Sequence, residues 1–167
     1  MASLPSGSQW LEDRLSRMTQ GSVPTTPGCI FCAICEHDLE ASIVYEDDDA
    51  MVFMALNSVN PGHMLVVPRR HASGLSDLDA DSGAHVWAVA QDMTRALRRS
   101  TLGCEGINLL VCDGKAACQS VFHLHLHVIP RHAGDGFVLF VIDGTEVPAR
   151  DRDLLDADAQ AVRDALA

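Results

Sequence analysis

The chain has 167 residues, 47% of them hydrophobic, which fits one domain with a sizeable core. Its formal net charge of −11 argues against binding to nucleic acid or to an anionic membrane, because both need a basic surface. No apolar run approaches the ~20 residues that cross a bilayer, and the N-terminus lacks the pattern of a secretory signal. We therefore expect a cytoplasmic location.

The first part of the chain predicts an extension followed by a cysteine pair. Residues 1–28 are rich in Ser, Pro, Gly and Thr and predict a flexible segment, with one amphipathic stretch at residues 10–18. Cys29 and Cys32 then have the Cys-x-x-Cys spacing. Without a secretory signal we expect no disulfide framework, so the pair is typical of half a zinc site. The alternative is two buried small hydrophobic residues, and Cys35 and His37 are competing ligands.

Several regular elements are predicted along the middle and end of the chain. Apolar runs bounded by turn signals predict strands at residues 43–45, 50–56, 64–68 and 107–112. A long helix is predicted at residues 76–100, because apolar residues recur there at helical spacing and aspartates crowd its start. A polar helix is expected from residue 151 to the end.

The most informative stretch is residues 120–131, where histidines alternate with apolar residues. The alternating residues are His123, Leu124, His125, Leu126, His127 and Val128. Alternation predicts a strand at about residues 121–129, which Pro130 ends because proline has no N–H to donate. The apolar side chains then face a core, and the three imidazoles share the opposite face.

Three imidazoles on one face of a strand allow three interpretations. They are chance residues of a half-exposed edge strand, they are metal ligands, or they are catalytic. Imidazole is neutral near pH 7, nucleophilic, and able to exchange donor and acceptor roles. If the group is catalytic, His125 is the best candidate for a nucleophile, since a histidine flanks it on each side.

This pattern resembles the signature of the histidine triad (HIT) family, in which three histidines alternate with hydrophobic residues. The resemblance spans residues 29–137, about two thirds of the chain. It includes the segments Cys29-Ile-Phe-Cys32, Ser42-Ile-Val-Tyr-Glu-Asp47, Asn57-Ser-Val-Asn-Pro-Gly-His63, Gln119-Ser120 and Pro130-Arg131. The chain is similar to the Hint-like branch. The transferase branch has Gln at the third triad position, where this chain has His127.

The resemblance implies a hydrolase or phosphoramidase that cleaves a purine nucleotide or another nucleoside 5′-phosphate conjugate. His125 is the implied nucleophile, which forms a covalent nucleotidyl-histidine while the backbone carbonyl of His123 holds its Nδ1–H. The implied catalytic residues are His63, His123, His125 and His127. The implied substrate-binding residues are Asn57, Cys118, Gln119, Ser120, Val121 and His127.

The resemblance also implies a metal, a fold and an assembly. A structural Zn²⁺ is held by Cys29, Cys32, His71 and His123. The implied fold is α+β and HIT-like, an antiparallel sheet of about five strands with one long helix packed on it. The implied domain division is a flexible extension at 1–28, a HIT domain at 29–140, and a tail with a helix at 141–167. Relatives form homodimers through the helix and an edge strand.

Three positions depart from the family pattern. Ala55 stands where relatives have an aspartate that contacts the ribose, Cys112 where they have Asn or Gln, and Cys118 where they have a glycine of the phosphate loop. These changes affect nucleoside recognition more than the chemistry, so an unusual nucleotide conjugate is one hypothesis. A non-catalytic nucleotide-binding or interaction module is another, and a zinc hydrolase with triad ligands is a third.

Overall fold

The computed structural model describes residues 26–137 and 149–166. The amphipathic stretch predicted at residues 10–18 lies outside this range. The helices are α1 (Ile30–Cys35), α2 (Ala80–Arg99) and α3 (Arg152–Asp164). The strands are β1 (Ile43–Glu46), β2 (Ala50–Met54), β3 (Met64–Pro68), β4 (Gly106–Val111) and β5 (Leu126–Arg131). Within the described ranges, no helix combines the length and the apolar character needed to cross a membrane.

The five strands form one sheet in the order β1-β2-β3-β5-β4. Every neighbouring pair is antiparallel, including the predicted hairpin of β4 and β5. Helix α2 packs on one face of this sheet. The predicted α+β architecture, an antiparallel sheet with a long helix on it, is confirmed.

Both faces of the sheet centre are covered, which explains why β2 and β3 read as continuous apolar runs. All residues of these two strands are buried. Because strand side chains alternate, Val52 and Val66 face the α2 and α3 side, whereas Phe53 and Leu65 face the α1 side. Phe31 of α1 fills the second face. The rings of His123 and His125 lie on this second side against Phe31, and His127 pairs with Leu65.

Helix α2 begins later than predicted. The predicted start was residue 76, but Asp79 has an extended backbone and its carboxylate accepts a hydrogen bond from the Ser82 N–H. An aspartate in this conformation is an N-cap, so the helix begins at Ala80. The predicted apolar stripe is buried, and it comprises Val86, Val89, Ala90, Met93 and Leu97.

The triad strand also begins later than predicted and does not end at its proline. The Leu124 N–H donates to the Ala72 carbonyl at 2.7 Å instead of to a strand, and β5 starts at Leu126. Pro130 lies inside β5. Its carbonyl accepts from the Asn60 side chain at 2.9 Å, beyond Val128, where pairing with β3 stops. The Pro130 nitrogen points to the same side of β5 as this carbonyl, and no strand lies there to accept a hydrogen bond from an N–H.

Helix α3 forms where the sequence predicts a C-terminal helix, and it joins the main core. Leu155, Ala159 and Val162 are fully buried on the α2 side of the sheet. Two hydrogen bonds join α3 to β1 and to Ser42, which precedes β1. Asp156 accepts from the Ser42 hydroxyl, and Arg163 donates to the Ile43 carbonyl. The domain boundaries proposed from the sequence stay a prediction.

Candidate active site and metal centre

Two cysteines and two histidines from distant parts of the chain converge at one end of the triad segment. The candidate ligand atoms of Cys29, Cys32, His71 and His123 all lie within 4.8 Å of one another. The Sγ of Cys32 lies 3.4 Å from the His71 Nδ1 and 3.5 Å from the His123 Nδ1. The Sγ of Cys29 lies 3.5 Å from the same His123 nitrogen. The structure therefore brings together the four residues that the resemblance implies as zinc ligands.

The spacing of these atoms fits a tetrahedral zinc ion. Zn–S and Zn–N bonds of about 2.3 and 2.1 Å at tetrahedral angles place sulfur and nitrogen about 3.6 Å apart. The three sulfur–nitrogen distances are 3.4 to 3.5 Å. The His123 Nε2 meets the Pro68 carbonyl at 2.8 Å, which holds the proton there and leaves Nδ1 free for a metal. Four thiol and imidazole donors, two of them on the buried residues Cys32 and His123, are typical of a structural site.

The same residue, His123, also contacts the candidate nucleophile. The His125 Nδ1 donates to the His123 backbone carbonyl at 2.8 Å, as the sequence analysis anticipated. A neutral His125 therefore carries its proton on Nδ1 and presents the lone pair of Nε2. The His123 ring faces the Pro68 carbonyl through Nε2 and the two cysteine sulfurs through Nδ1. Its hydrogen bond to the candidate nucleophile is made by its backbone carbonyl.

His63 and His127 form a second ordered pair of imidazoles. The Val59 N–H donates to the His63 Nδ1 at 3.2 Å, which places the His63 proton on Nε2. That nitrogen meets the His127 Nδ1 at 3.0 Å. His127 then carries its own proton on Nε2. The ring centroids of His125 and His127 are 4.9 Å apart, so an acceptor lone pair and a donor N–H lie on adjacent rings.

Burial keeps this cluster neutral. It lowers the pKa of His63 to about 4, with a further contribution from the nearby His125. It also lowers the pKa of His127 to about 3, with contributions from His63 and His125. Burial lowers the pKa of His125 as well, against the opposing effect of its hydrogen bond to the His123 carbonyl. At neutral pH these imidazoles are uncharged, and an uncharged imidazole is a nucleophile.

Phe31 is a site residue that the sequence analysis missed. Its ring lies edge-on to the ring of His125, with centroids 5.2 Å apart, and to that of His123 at 5.9 Å. Because Phe31 sits between Cys29 and Cys32, the segment that reaches the candidate metal centre also packs on the candidate nucleophile. Phe31 lies inside the Cys-x-x-Cys motif, so its place in the site could have been predicted from the sequence. The hydrogen bonds of the Val59 N–H and the Pro68 carbonyl involve backbone groups, which no residue pattern predicts.

The residues predicted to bind phosphate are divided between the surface and the loop interior. Ser120 is exposed, and with Val121 it lines an open cavity of about 480 Å³ beside Cys29 and His71. Cys118 is exposed in a left-handed conformation (φ 65°). The Gln119 side chain is buried in its own loop. It accepts from the Gly114 N–H at 2.7 Å and donates to the carbonyls of Ser73 and Val121 at 2.7 and 3.1 Å.

The residues implied for sugar recognition lie on the loop between β2 and β3. Asn57 is exposed, so its amide is open to a ligand. Ala55 is buried, and its backbone N–H donates to the His63 carbonyl at 3.0 Å. Position 55 thus supports His63 through its backbone and offers no polar side chain. The substrate-binding roles of these residues stay predictions.

Comparison with known proteins gives a consistent assignment. Residues 36–134 match the family model of the HIT domain. An uncharacterized HIT-like protein from Borreliella burgdorferi is 41% identical over 112 residues, which cover 65% of this chain and 79% of the relative. An uncharacterized HIT-like protein from Mycobacterium tuberculosis is 37% identical over 139 residues, which cover 83% of this chain and 93% of the relative.

Solved structures support the same assignment to the HIT family. A Zn-bound histidine triad family protein from Mycobacterium smegmatis matches with a TM-score of 0.73 and 37% identity, over 83% of this chain and 93% of that one. A hypothetical histidine triad nucleotide-binding protein from Sulfolobus tokodaii gives 0.71 and 27%, over 83% and 91%. A HIT family hydrolase from Legionella pneumophila gives 0.57 and 26%, over 63% and 94%. The triad, the fold and these likenesses together show that the chain belongs to the histidine triad (HIT) family.

Proposed function

We propose that this protein is a nucleotide hydrolase or phosphoramidase that cleaves a nucleoside 5′-phosphate conjugate through a covalent intermediate on His125. One observation carries the proposal: the His125 Nδ1 is tied to the His123 carbonyl at 2.8 Å, which leaves the Nε2 lone pair beside the donor ring of His127. The nucleotide-binding and hydrolase names of two structural relatives support the same class of substrate and reaction.

The proposed reaction has two displacements at phosphorus. The His125 Nε2 attacks the α-phosphorus, and the bond from phosphorus to the leaving group breaks with its electron pair on the leaving group. A leaving amine takes a proton from solvent, whereas a phosphate can leave as its anion. A neutral imidazole avoids the repulsion that anionic oxygens impose on an anionic nucleophile. Water then attacks the nucleotidyl-histidine and gives a proton to solvent, the phosphorus–nitrogen bond breaks, and the lone pair returns to Nε2 as the nucleoside monophosphate is released.

His127 is proposed to bind the phosphoryl oxygens. Its Nε2–H is the last donor in a series of hydrogen bonds that runs from the Val59 N–H through His63 to His127. A donor held in this way needs no reorganisation as charge builds up on the oxygens. Ser120 is exposed at the end of the loop before the triad segment and is proposed to hydrogen-bond the same group.

We propose that Cys29, Cys32, His71 and His123 hold a structural Zn²⁺. Its effect would be to fix the start of α1 and the Pro68–His71 segment against the triad, since these residues come from separate parts of the chain. The His123 ring and the Phe31 side chain would then be fixed with it. No chemical step requires the ion.

We also propose that the protein is a homodimer joined through β4 and α2. Within the described part of the chain β4 pairs only with β5, and all six of its residues are half-buried. Trp87 of α2 is 51% exposed, unusual for a side chain with so large an apolar surface. Light scattering of the purified protein should give twice the chain mass, and a monomeric mass at micromolar concentration contradicts the proposal.

The hydrolase proposal is tested by intact mass spectrometry after brief incubation with nucleoside phosphoramidates and dinucleotides. We expect a mass increase of one nucleotidyl group on the wild type and none on His125→Asn. His37→Asn is the matched control, because His37 is exposed and its positive φ of 61° suits asparagine. Tight nucleotide binding without an adduct or turnover would instead indicate a non-catalytic binding module.

A further inference from the structure

The loop between β2 and β3 carries His63 and also its orienting partner. Val59 lies in this loop, and its N–H is the group that fixes the His63 proton on Nε2. The loop closes on itself through two backbone bonds, from the Ala55 N–H to the His63 carbonyl and from the His63 N–H to the Asn60 carbonyl. The orientation of the His63 ring therefore depends on the path of residues 56–62.

The C-terminal segment holds this loop at two points. The Arg150 N–H donates to the Leu56 carbonyl at 3.1 Å, at the start of the loop. At its end, the Gly62 N–H donates to the Asp158 carboxylate at 3.1 Å. The same carboxylate oxygen, Oδ2, accepts from the Arg150 guanidinium. Arg150 and α3, which carries Asp158, both lie outside residues 36–134, the range matched by the HIT family model.

The carboxylate of Asp158 is unusual on the buried face of α3. It is buried (7% exposed) on a helix whose other buried residues, Leu155, Ala159 and Val162, are apolar. A buried carboxylate costs free energy unless it is paired and hydrogen-bonded. Here its two partners are Arg150 and the backbone of the residue that immediately precedes His63.

Close contacts at Gly62 restrict the loop on the side opposite Asp158. It has a φ of +86°, and a Cβ there would lie 2.9 Å from Leu97 and 3.0 Å from Leu102. The Gly62 peptide is thus confined between the end of α2 and the carboxylate of α3. A small shift of Asp158 would pass directly into the His63 backbone.

We propose that Asp158 is a positioning residue for His63, acting with Arg150 to clamp the loop at residues 56–62. This rests on the proposed hydrolase function, in which His63 orients the His127 donor. Asp158 touches no reacting atom. Its effect is to keep the Val59 N–H within reach of the His63 Nδ1, and so to keep His63 and His127 in the tautomers that the reaction needs.

Asp158→Leu tests the proposal, because it keeps the branched shape and the number of heavy atoms and removes the acceptor. Asp158→Asn is the conservative variant, since its amide oxygen can still accept from Gly62 and Arg150. Asp156→Leu is the matched control. It lies on the same helix, is exposed, and binds Ser42 of the segment before β1, away from the loop.

Two measurements are made on each variant. The first is the ¹⁵N spectrum of the histidine rings in the substrate-free protein, which reports which nitrogen of His63 carries the proton. The second is kcat and KM on a nucleoside phosphoramidate. In Asp158→Leu we expect mixed tautomers at His63 and a kcat lowered about 10- to 100-fold, with KM changed much less. Asp158→Asn should restore both. Asp156→Leu should keep the wild-type His63 signals and kcat, even though it removes the hydrogen bond from Ser42.

Unchanged His63 signals in Asp158→Leu overturn the proposal, as do equal kcat losses in Asp158→Leu and Asp156→Leu. Shifted signals with the wild-type kcat overturn its catalytic part. Where Asp158→Leu does not fold, the double variant Arg150→Met, Asp158→Leu removes the charge pair as a unit and is read by the same criteria. If the wild type turns over no conjugate, the hydrolase proposal fails, while the ring signals still test the clamp.

Discussion

The backbone carbonyl of His123 accepts a hydrogen bond of 2.8 Å from the Nδ1 of His125. The ring of the same His123 faces the thiols of Cys29 and Cys32. One residue thus belongs to the candidate metal centre through its side chain and to the candidate active site through its main chain. A change that displaces the His123 backbone therefore affects both the candidate metal centre and the group that sets the tautomer of the candidate nucleophile.

Loss of the metal centre should therefore lower stability first and activity with it. In Cys32→Ala we expect the protein to bind none of the proposed Zn²⁺ and the free energy of unfolding to fall by about 3 kcal/mol or more, because a structural ion contributes its binding free energy to folding. Metal content by mass spectrometry and urea unfolding of the purified protein measure both effects.

Cys35→Ala is the control for this experiment. Cys35 is fully buried nearby, but it is not one of the four residues whose candidate ligand atoms converge. We expect this variant to retain the full zinc content and to lose only about 1 kcal/mol from the smaller side chain. Loss of zinc in both variants would contradict the assignment of the four ligands.

The neutral histidines should make the protein sensitive to acid. An unfolded histidine binds a proton near pH 6.5, whereas His63 and His127 do so only near pH 4 and 3 in the folded protein. Their contribution to stability is therefore complete above pH 6.5 and is lost as the pH falls towards 4. Between pH 7 and 5 the loss is on the order of 2 kcal/mol for each residue.

Urea unfolding of the wild type and of His127→Gln at pH 7 and pH 5 measures this contribution. The variant should lose less stability between the two pH values than the wild type does. Release of zinc at acid pH affects both proteins and cancels in the difference. Identical losses in the two proteins would show that His127 already titrates normally in the folded state.

The side chain of Gln119 should matter for the shape of the loop before the triad segment. Replacement by Leu leaves the Gly114 N–H and the carbonyls of Ser73 and Val121 without the partners they have now. We expect Gln119→Leu to lower the free energy of unfolding by about 1–3 kcal/mol. Gln91→Leu, at an exposed position of α2, should leave it within about 0.5 kcal/mol of the wild type.

Activity measurements show whether Gln119 affects substrate binding as well as stability. Because the loop carries Ser120, its distortion should raise KM for a nucleoside phosphoramidate in Gln119→Leu. Gln119→Glu keeps an acceptor for Gly114 but loses the two donor bonds, and we expect an intermediate KM. Wild-type KM values in both variants would rule out a role for this loop in substrate binding.

Gly62 and Gly134 provide a matched pair for backbone strain. Their φ values are +86° and +77°, but a Cβ at Gly62 meets Leu97 and Leu102, whereas at Gly134 nothing lies within 4 Å. Both alanine variants carry the cost of a positive φ, about 1–2 kcal/mol. Gly62→Ala should lose about 1–3 kcal/mol more from overpacking. Equal unfolding free energies would mean that the two leucines move aside freely.

The sequence alone determined the architecture and the identity of the chemical groups. The apolar runs of β2 and β3 and the apolar stripe of α2 predict buried elements, because local periodicity dictates which face is apolar. The alternating histidines, with the cysteine pair, allowed the family resemblance to be stated. From it followed the four candidate ligands and the bond from His125 to the His123 carbonyl, which the structure places as expected.

Only the tertiary structure decided how these groups are held. The Val59 N–H that orders His63, the Phe31 ring against His125 and the Asp158 carboxylate at Gly62 join residues whose meeting is not encoded in any local pattern. Pro130 stays inside β5 for the same reason, since its nitrogen points past the end of β3. Local sequence sets which side chains share a face, but backbone donors and acceptors acquire partners only when distant segments pack together.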